Sequence, residues 1–124
     1  MPILSAQVRS YLYKIPVVTH RIFAGDGLLR DTDGHHFLYE VKLSTAHTGP
    51  LRVQGLDRDA DVLIVVHLDA YNCRMTGVIY DMPSRNHFST TLGEFYSRPV
   101  LFSISWAARS VIAVNTVPPV HPRQ

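Results

Sequence analysis

A carboxylate and an amine two residues apart are the side chains of this sequence best suited to chemistry. Glu40 and Lys42 stand in HFLYEVKL, a β-branched and aromatic segment that predicts a strand over 36–43. Because side chains alternate along a strand, both groups share one face, about 7 Å apart from two rises of about 3.3 Å. The opposite face carries four large hydrophobic residues: Phe37, Tyr39, Val41 and Leu43. That opposite face is expected to be core.

A second carboxylate, Asp26, precedes this strand in a segment that predicts a β-hairpin over 26–43. The turn is expected at 31–34, where Asp-Thr-Asp-Gly has strong turn chemistry, and its two aspartates are assigned to that role alone. With the turn centred there, Asp26 pairs with Glu40 on the neighbouring strand. Asp26 is flanked by two glycines, so a further turn residue is the alternative interpretation.

Two carboxylates and an amine in this arrangement suit the hydrolysis of a phosphodiester. The reaction needs a hard cation that neutralises the developing charge and orients the phosphate. Mg²⁺ is bound by one or two carboxylates and by waters, so Asp26 and Glu40 are predicted to ligate Mg²⁺ or Mn²⁺. Lys42 is placed to hydrogen-bond the attacking water and favour its hydroxide form. The alternative is that Glu40 and Lys42 form an exposed pair that keeps the sheet soluble.

The segment GDGLLRDTDGHHFLYEVKLST resembles the core hairpin of the PD-(D/E)xK nuclease superfamily, which includes type II restriction endonucleases and Holliday-junction resolvases. The resemblance covers about residues 17–82. Its continuation matches the family pattern at these positions: Ser44-Thr45, Gly49, Gln54 and Asp61. The resemblance implies a Mg²⁺-dependent DNA endonuclease in which Asp26 and Glu40 bind the metal. Lys42 would activate the water, and Gln54 would be an auxiliary site residue.

Candidate DNA contacts follow the motif. Ten of the twelve basic residues are Arg, which suits bidentate contact with phosphate, although a GC-rich genome gives the same bias. Four residues are predicted to bind nucleic acid: Ser44, Thr45, Arg52 and Arg58. The hydroxyl groups would donate to a phosphate beside Lys42, and the arginines would contact the DNA backbone. Turn capping and an ordinary solvated face are the alternatives.

The length and composition of the chain indicate that these residues lie in one domain. With 124 residues and 46% hydrophobic content, the chain has room for a single core. A single nuclease-like domain is assigned to 1–117 and a Pro-rich tail to 118–124. Asp61 leads into VLIVVHL, an apolar run that predicts a central strand buried on both faces.

The remaining elements follow from local patterns. They are an opening helix over 4–14, a strand over 17–23, an irregular helical turn within 51–60, a strand over 75–82, a loop over 83–90, a short helix over 91–97 and a strand over 100–106. Residues 106–114 fit a strand or a helix equally well. The expected fold class is α/β (α+β), a central mixed β-sheet flanked by short helices, restriction-endonuclease-like.

Composition also limits the cellular compartment and the bound metals that are expected. The single cysteine, Cys73, forms no intramolecular disulfide, which fits a reducing compartment. No basic n-region opens the chain and no stretch approaches 18 apolar residues, so a cytoplasmic protein without a membrane span is expected. The lone cysteine and the lack of HxH or HxxxH spacing argue against zinc. A homodimer is expected if both DNA strands are cut, since each site has one hydrolytic centre.

Two other functional classes remain open. A catalytically inactive nuclease-like module would bind nucleic acid or a protein partner. A small β-rich interaction protein would carry the motif by accident, and Glu40 and Lys42 would then point into bulk solvent.

Overall fold

In this computed structural model of the protein, residues 17–18, 27–56, 59–105, 110–117 and 119 are described. The predicted opening helix over 4–14 lies outside the described residues, as does most of the predicted strand over 17–23. The elements, in chain order, are β1 Val17–Val18, β2 Gly27–Arg30, β3 His36–Ser44, β4 Pro50–Gln54, β5 Val62–Asp69, β6 Arg74–Asp81, β7 His87–Thr91, α1 Leu92–Ser97, β8 Phe102–Ser105 and β9 Ser110–Val114.

Most of the strands form one mixed sheet. Its seven strands run in the order β1-β2-β3-β5-β6-β8-β9, and β3 pairs with β5 in parallel while the other neighbours are antiparallel. Strands β4 and β7 form a separate antiparallel ribbon. The fold is therefore sheet-rich α+β with a mixed sheet, and the described residues include one short helix, α1. No helix in the described part of the chain is long and apolar enough to cross a lipid bilayer.

The central strand is β5, and the sequence predicted it correctly. Every residue from Val62 to Leu68 is buried. Alternate side chains enter two different hydrophobic clusters, with Val62 and Ile64 in the first and Leu63 and Val65 in the second. A strand with apolar residues at consecutive positions suits this place because both of its faces are covered. Strand β6, over the segment where the sequence predicts a strand, returns antiparallel beside it.

The β4–β7 ribbon corrects two predictions from the sequence. An irregular helical turn was expected within 51–60 and a loop over 83–90, whereas β4 and β7 are strands. In β4, Leu51 and Val53 are buried and their neighbours are exposed, which is the alternation of a strand with one covered face. Those two residues belong to the second cluster, so burial against the main sheet stabilises the extended conformation.

The last part of the described chain contains helix α1 and strand β9. Helix α1 begins after Thr91, whose side chain accepts a hydrogen bond from the Glu94 backbone N–H and so caps the helix. Residues 110–114, which fitted a strand or a helix equally well, form β9 against β8, with a register shift between Ser103 and Ile104. Strand β9 is therefore the last strand of the mixed sheet.

Candidate catalytic site

Glu40 and Lys42 lie on the same face of β3, as the alternation of the strand predicts. The Lys42 Nζ is 3.5 Å from the Glu40 Oε1, and the two side chains are 30% and 10% exposed, respectively. The alternative of an exposed pair that keeps the sheet soluble therefore does not hold for the Glu40 carboxylate, which is buried. The pair consists of a buried acid and an amine that reaches solvent.

The parallel pairing of β3 with β5 fixes where these side chains lie. Glu40 stands beside Leu63 in the register. Asp61, at the head of β5, clamps the two strands, because its Oδ2 accepts from the Leu38 N–H at 2.8 Å. The Asp61 N–H in turn donates to the Leu38 carbonyl at 2.9 Å. Leu63 and the half-buried Leu38 belong to the second hydrophobic cluster, so Glu40 lies at the margin of an apolar region.

The β2–β3 hairpin has the register that the sequence predicted. Its pairs run from Arg30 with His36 to Gly27 with Tyr39, so they are centred on Asp33 in the expected turn. Asp26 is the residue before Gly27 and Glu40 is the residue after Tyr39 in the chain. Asp26 itself lies outside the described residues, so its role as a metal ligand stays a prediction.

Asp31 stabilises the turn in which it lies. The Asp31 Oδ1 accepts from the backbone N–H groups of Asp33 and His35, both at 3.0 Å. Ligand atoms of these three residues lie within 4.8 Å of one another, close enough to surround a cation. Because Asp31 is engaged by two N–H groups and the other two residues are exposed, turn stabilisation accounts for this arrangement. The cluster lies at the tip of the hairpin, away from Glu40 along β3.

The end of β4 reaches the site. Gly55 adopts a φ of +68°, and a Cβ built on it would lie 3.7 Å from the Lys42 Nζ. Gln54, the predicted auxiliary residue, directly precedes Gly55 and is exposed. Arg52 is also exposed on β4, and Arg58 lies outside the described residues. The crossover between β3 and β5 therefore passes next to the amine and carries two of the predicted residues.

Ser44 and Thr45 follow directly at the end of β3. The Ser44 Oγ accepts a hydrogen bond from the Ala46 N–H at 3.3 Å, which is the capping role considered as the alternative to phosphate contact. Thr45 is exposed. Both residues lie within three positions of Lys42 in the chain, so a contact with a ligand beside the amine remains compatible with their placement.

His67 is a buried polar residue that the sequence did not single out for this site. It pairs with Ser44 in the β3–β5 register, and its Nε2 donates to the Ala46 carbonyl at 2.7 Å. With the proton on Nε2, the Nδ1 accepts from the Tyr96 hydroxyl. Burial raises the pKa of Tyr96 above its usual value of 10.0, so the phenol keeps the proton that it donates at neutral pH. His67 thus joins the loop after Lys42 to α1, and its signal was one polar residue within VLIVVHL.

A cleft adjoins the β4–β7 ribbon. Its described lining residues are Arg52, Val53, Gln54, Gly55, Asn86, His87, Phe88 and Ser89. The predicted residues Arg52 and Gln54 therefore share a concave surface with the end of β7. Gly55 belongs both to this lining and to the neighbourhood of the Lys42 amine.

Comparison of the chain with protein-family models, curated proteins and solved structures gives no match. The geometry of the described residues and the chemistry of the motif are therefore the basis for a function.

Proposed function

We propose that the protein is a Mg²⁺- or Mn²⁺-dependent DNA endonuclease with a PD-(D/E)xK site on a restriction-endonuclease-like core. The observation that carries the proposal is the buried carboxylate of Glu40 beside the partly exposed amine of Lys42. The hairpin register, the parallel pairing of β3 with β5 and the end of β4 beside the amine support it. The protein would act in the cytoplasm, as a homodimer if both DNA strands are cut.

The burial of Glu40 is informative because it has an energetic cost. An ionised carboxylate loses hydration when it is buried, and a neighbouring amine offsets only part of that loss. Leu63, beside Glu40 in the β3–β5 register, belongs to the second hydrophobic cluster, so the surroundings of the carboxylate are partly apolar. A buried acid on the margin of a hydrophobic cluster is therefore better explained by chemistry than by stability.

The side chains fit a hard divalent cation. Carboxylate oxygens are the ligands that Mg²⁺ and Mn²⁺ prefer, and Glu40 offers one from a position fixed by the sheet. Asp26 is proposed as the second ligand. A bound metal ion would neutralise the charge that develops on the phosphate during hydrolysis. The shielded position of Glu40 would strengthen its attraction for such a cation relative to an exposed carboxylate.

Lys42 is proposed to hold the water that attacks the phosphorus atom. The Lys42 side chain is 30% exposed, and its amine donates hydrogen bonds without accepting any. As the bond from the water oxygen to phosphorus forms and the bond from phosphorus to the leaving oxygen breaks, the proton of the water would pass to solvent, and solvent would protonate the leaving oxygen. A neighbouring ammonium favours the hydroxide form of that water by electrostatic attraction. Gln54, one residue before Gly55, would assist from the end of β4.

Cleavage of supercoiled plasmid in the presence of Mg²⁺ tests the proposal. The wild-type protein should nick or linearise the plasmid, and chelation of the metal should stop the reaction. Glu40→Gln and Lys42→Ala should each abolish cleavage, whereas Glu94→Gln, at the exposed start of α1, should retain it. Cleavage that persists in Lys42→Ala would contradict the assigned mechanism. Failure of the folded wild-type protein to cut any DNA substrate with either metal would contradict the nuclease function.

An inactive nuclease-like module that binds nucleic acid or a protein partner is the second candidate. The observation that favours it is the Lys42 amine 3.5 Å from the carboxylate, because that cation already compensates part of the charge of Glu40. Titration with Mn²⁺ separates the two candidates. A nuclease should bind the ion and lose this binding in Glu40→Gln, whereas the inactive module should show no binding that depends on Glu40.

A further inference from the structure

The outer face of the β4–β7 ribbon is a polar surface with the geometry of a binding track. Arg52 and Gln54 on β4, and His87 and Ser89 on β7, are all exposed. The register pairs Arg52 with Ser89 and Gln54 with His87. Residues paired in this way, and residues two apart on one strand, share a face. The four side chains therefore form one contiguous group, which we call the ribbon track.

The opposite face of the ribbon packs on the second hydrophobic cluster. Leu51 and Val53 are buried in the second hydrophobic cluster, and Thr90 is buried on β7. Gly55, at the end of β4, donates its backbone N–H to the Asn86 carbonyl at 3.1 Å and so closes the end of the ribbon. The track is thus supported by packing from below and does not depend on a loop for its shape.

The chemistry of the track suits a phosphate backbone. Arg52 carries a positive charge, and the side chains of Gln54, His87 and Ser89 can all donate hydrogen bonds to oxygen. None of the described residues that line this cleft is acidic. An anionic ligand rich in oxygen acceptors therefore fits the track better than a cation or an apolar partner.

The position of the track relative to Lys42 identifies the ligand further. Gly55 lines the cleft, and a Cβ on the same residue would lie 3.7 Å from the Lys42 Nζ. Gly55, the residue after Gln54, therefore links the end of the track to the neighbourhood of the amine. A ribbon of two strands also has the width to enter the major groove of B-form DNA, which is about 12 Å wide.

We propose that the ribbon track binds duplex DNA and leads one of its strands to Lys42. This inference rests on the proposed function in one respect, since the strand at Lys42 is taken to be the one that is cut. It adds His87 and Ser89 to the residues that the motif indicates. Arg52, which the sequence already indicates as a contact to the DNA backbone, lies on the same track, with Gln54 between it and Gly55.

Fluorescence anisotropy with a labelled oligonucleotide duplex in EDTA tests the track without any need for cleavage. Arg52→Ala should weaken binding about tenfold, as expected for the loss of a charged hydrogen bond. The slope of log K against log salt should become shallower by about 0.9 for the lost phosphate contact. Arg52→Lys should keep most of the salt dependence. Arg30→Ala, an exposed arginine on β2 outside the cleft, is the matched control and should bind like the wild type.

A double variant, His87→Ala with Ser89→Ala, tests the β7 side of the track. It should weaken binding about fivefold or more, because two neutral hydrogen bonds are lost. The substituted side chains are exposed, and thermal melting should show that each variant stays folded. The track is overturned if Arg52→Ala and the double variant both bind as the wild type does, or if Arg30→Ala loses as much affinity as Arg52→Ala.

Plasmid cleavage in Mg²⁺ distinguishes failure of the track from failure of the proposed function. Loss of affinity in the track variants, in a protein that cuts no DNA, supports the track and contradicts the nuclease. Cleavage by the wild type, with unchanged affinity and unchanged KM in the track variants, contradicts the track and leaves the nuclease standing.

Discussion

Replacing Lys42 with Met should destabilise the fold through the carboxylate that stays behind. At 3.5 Å, the Lys42 Nζ and the Glu40 Oε1 attract each other by about 5 kcal/mol before desolvation, for an effective dielectric constant of about 20. The lysine side chain is 30% exposed, so solvent screens part of this attraction. We expect a net loss of about 2 kcal/mol, below the cost of breaking a fully buried pair.

Thermal unfolding measures this loss. A chain of 124 residues has an unfolding entropy of about 0.26 kcal/mol/K, so a loss of 2 kcal/mol lowers the Tm by about 8 °C. Glu40→Gln with Lys42→Met should be less destabilised than the sum of the single variants, because the double variant lacks both charges of the ion pair. Arg30→Met, which removes an exposed cation, should change the Tm little. Additive effects of the two single variants would refute the coupling.

The same variants connect stability to the metal site. A divalent cation at tenfold its dissociation constant stabilises the folded state by about 1.4 kcal/mol, or about 5 °C for this chain. Mn²⁺ should therefore raise the Tm of Lys42→Met, where the cation replaces the missing ammonium beside Glu40. It should leave the Tm of Glu40→Gln unchanged. An equal shift in both variants would mean that the ion binds elsewhere.

Three further predictions concern the scaffold. A Cβ on Gly77 would lie 2.3 Å from the Phe102 Cε1, so Gly77→Ala should lower the free energy of unfolding in urea by about 3 kcal/mol or more. The control Gly93→Ala, in α1 with open space around the Cβ, should raise it by up to about 1 kcal/mol. Burial raises the pKa of the Tyr80 phenol above 10.0, so the neutral phenol stabilises the folded state below pH 10.0. This contribution is lost as the pH rises through the pKa of Tyr80 in the folded protein. Melting curves between neutral and alkaline pH should show that loss, and Tyr80→Phe should reduce it. Cys73 adopts a φ of 49°, so Cys73→Gly should raise the free energy of unfolding by about 0.5 kcal/mol, and a decrease in urea melts would contradict the strain.

The parts of the fold that were predictable have strong local signals. The turn at 31–34 and the long strand β3 are adjacent in the chain, so the register of the β2–β3 hairpin followed from the turn alone. VLIVVHL has no polar residue until His67, and such a run fits few places other than the centre of a sheet.

The β4–β7 ribbon could not be predicted because its two strands are short and distant in sequence. Strand β4 has two buried apolar residues, Leu51 and Val53, and so few positions do not distinguish a strand from a helical turn. Strand β7 contains one large hydrophobic residue, Phe88, in a polar segment. The two strands pair where they cover the second hydrophobic cluster, so their pairing depends on tertiary packing and not on local sequence alone.

The candidate site also has one part that was predictable from the sequence and another that was not. Strand alternation was sufficient to place Glu40 and Lys42 on one face, and the structure confirms that placement. The burial of Glu40 was not predictable, since it depends on the parallel pairing with β5 and on the clamp by Asp61. The link from His67 to Ala46 and Tyr96 also joins residues that are distant in the chain.

The Glu40 and Lys42 side chains differ in exposure, at 10% and 30% respectively. The proposed hydrolysis would use this difference, because a shielded acid attracts a cation strongly while the lysine must meet water and a phosphate. The end of β4 places the ribbon track beside the accessible member of the pair. The proposed path of the DNA and the proposed position of the attacking water therefore converge on the same amine.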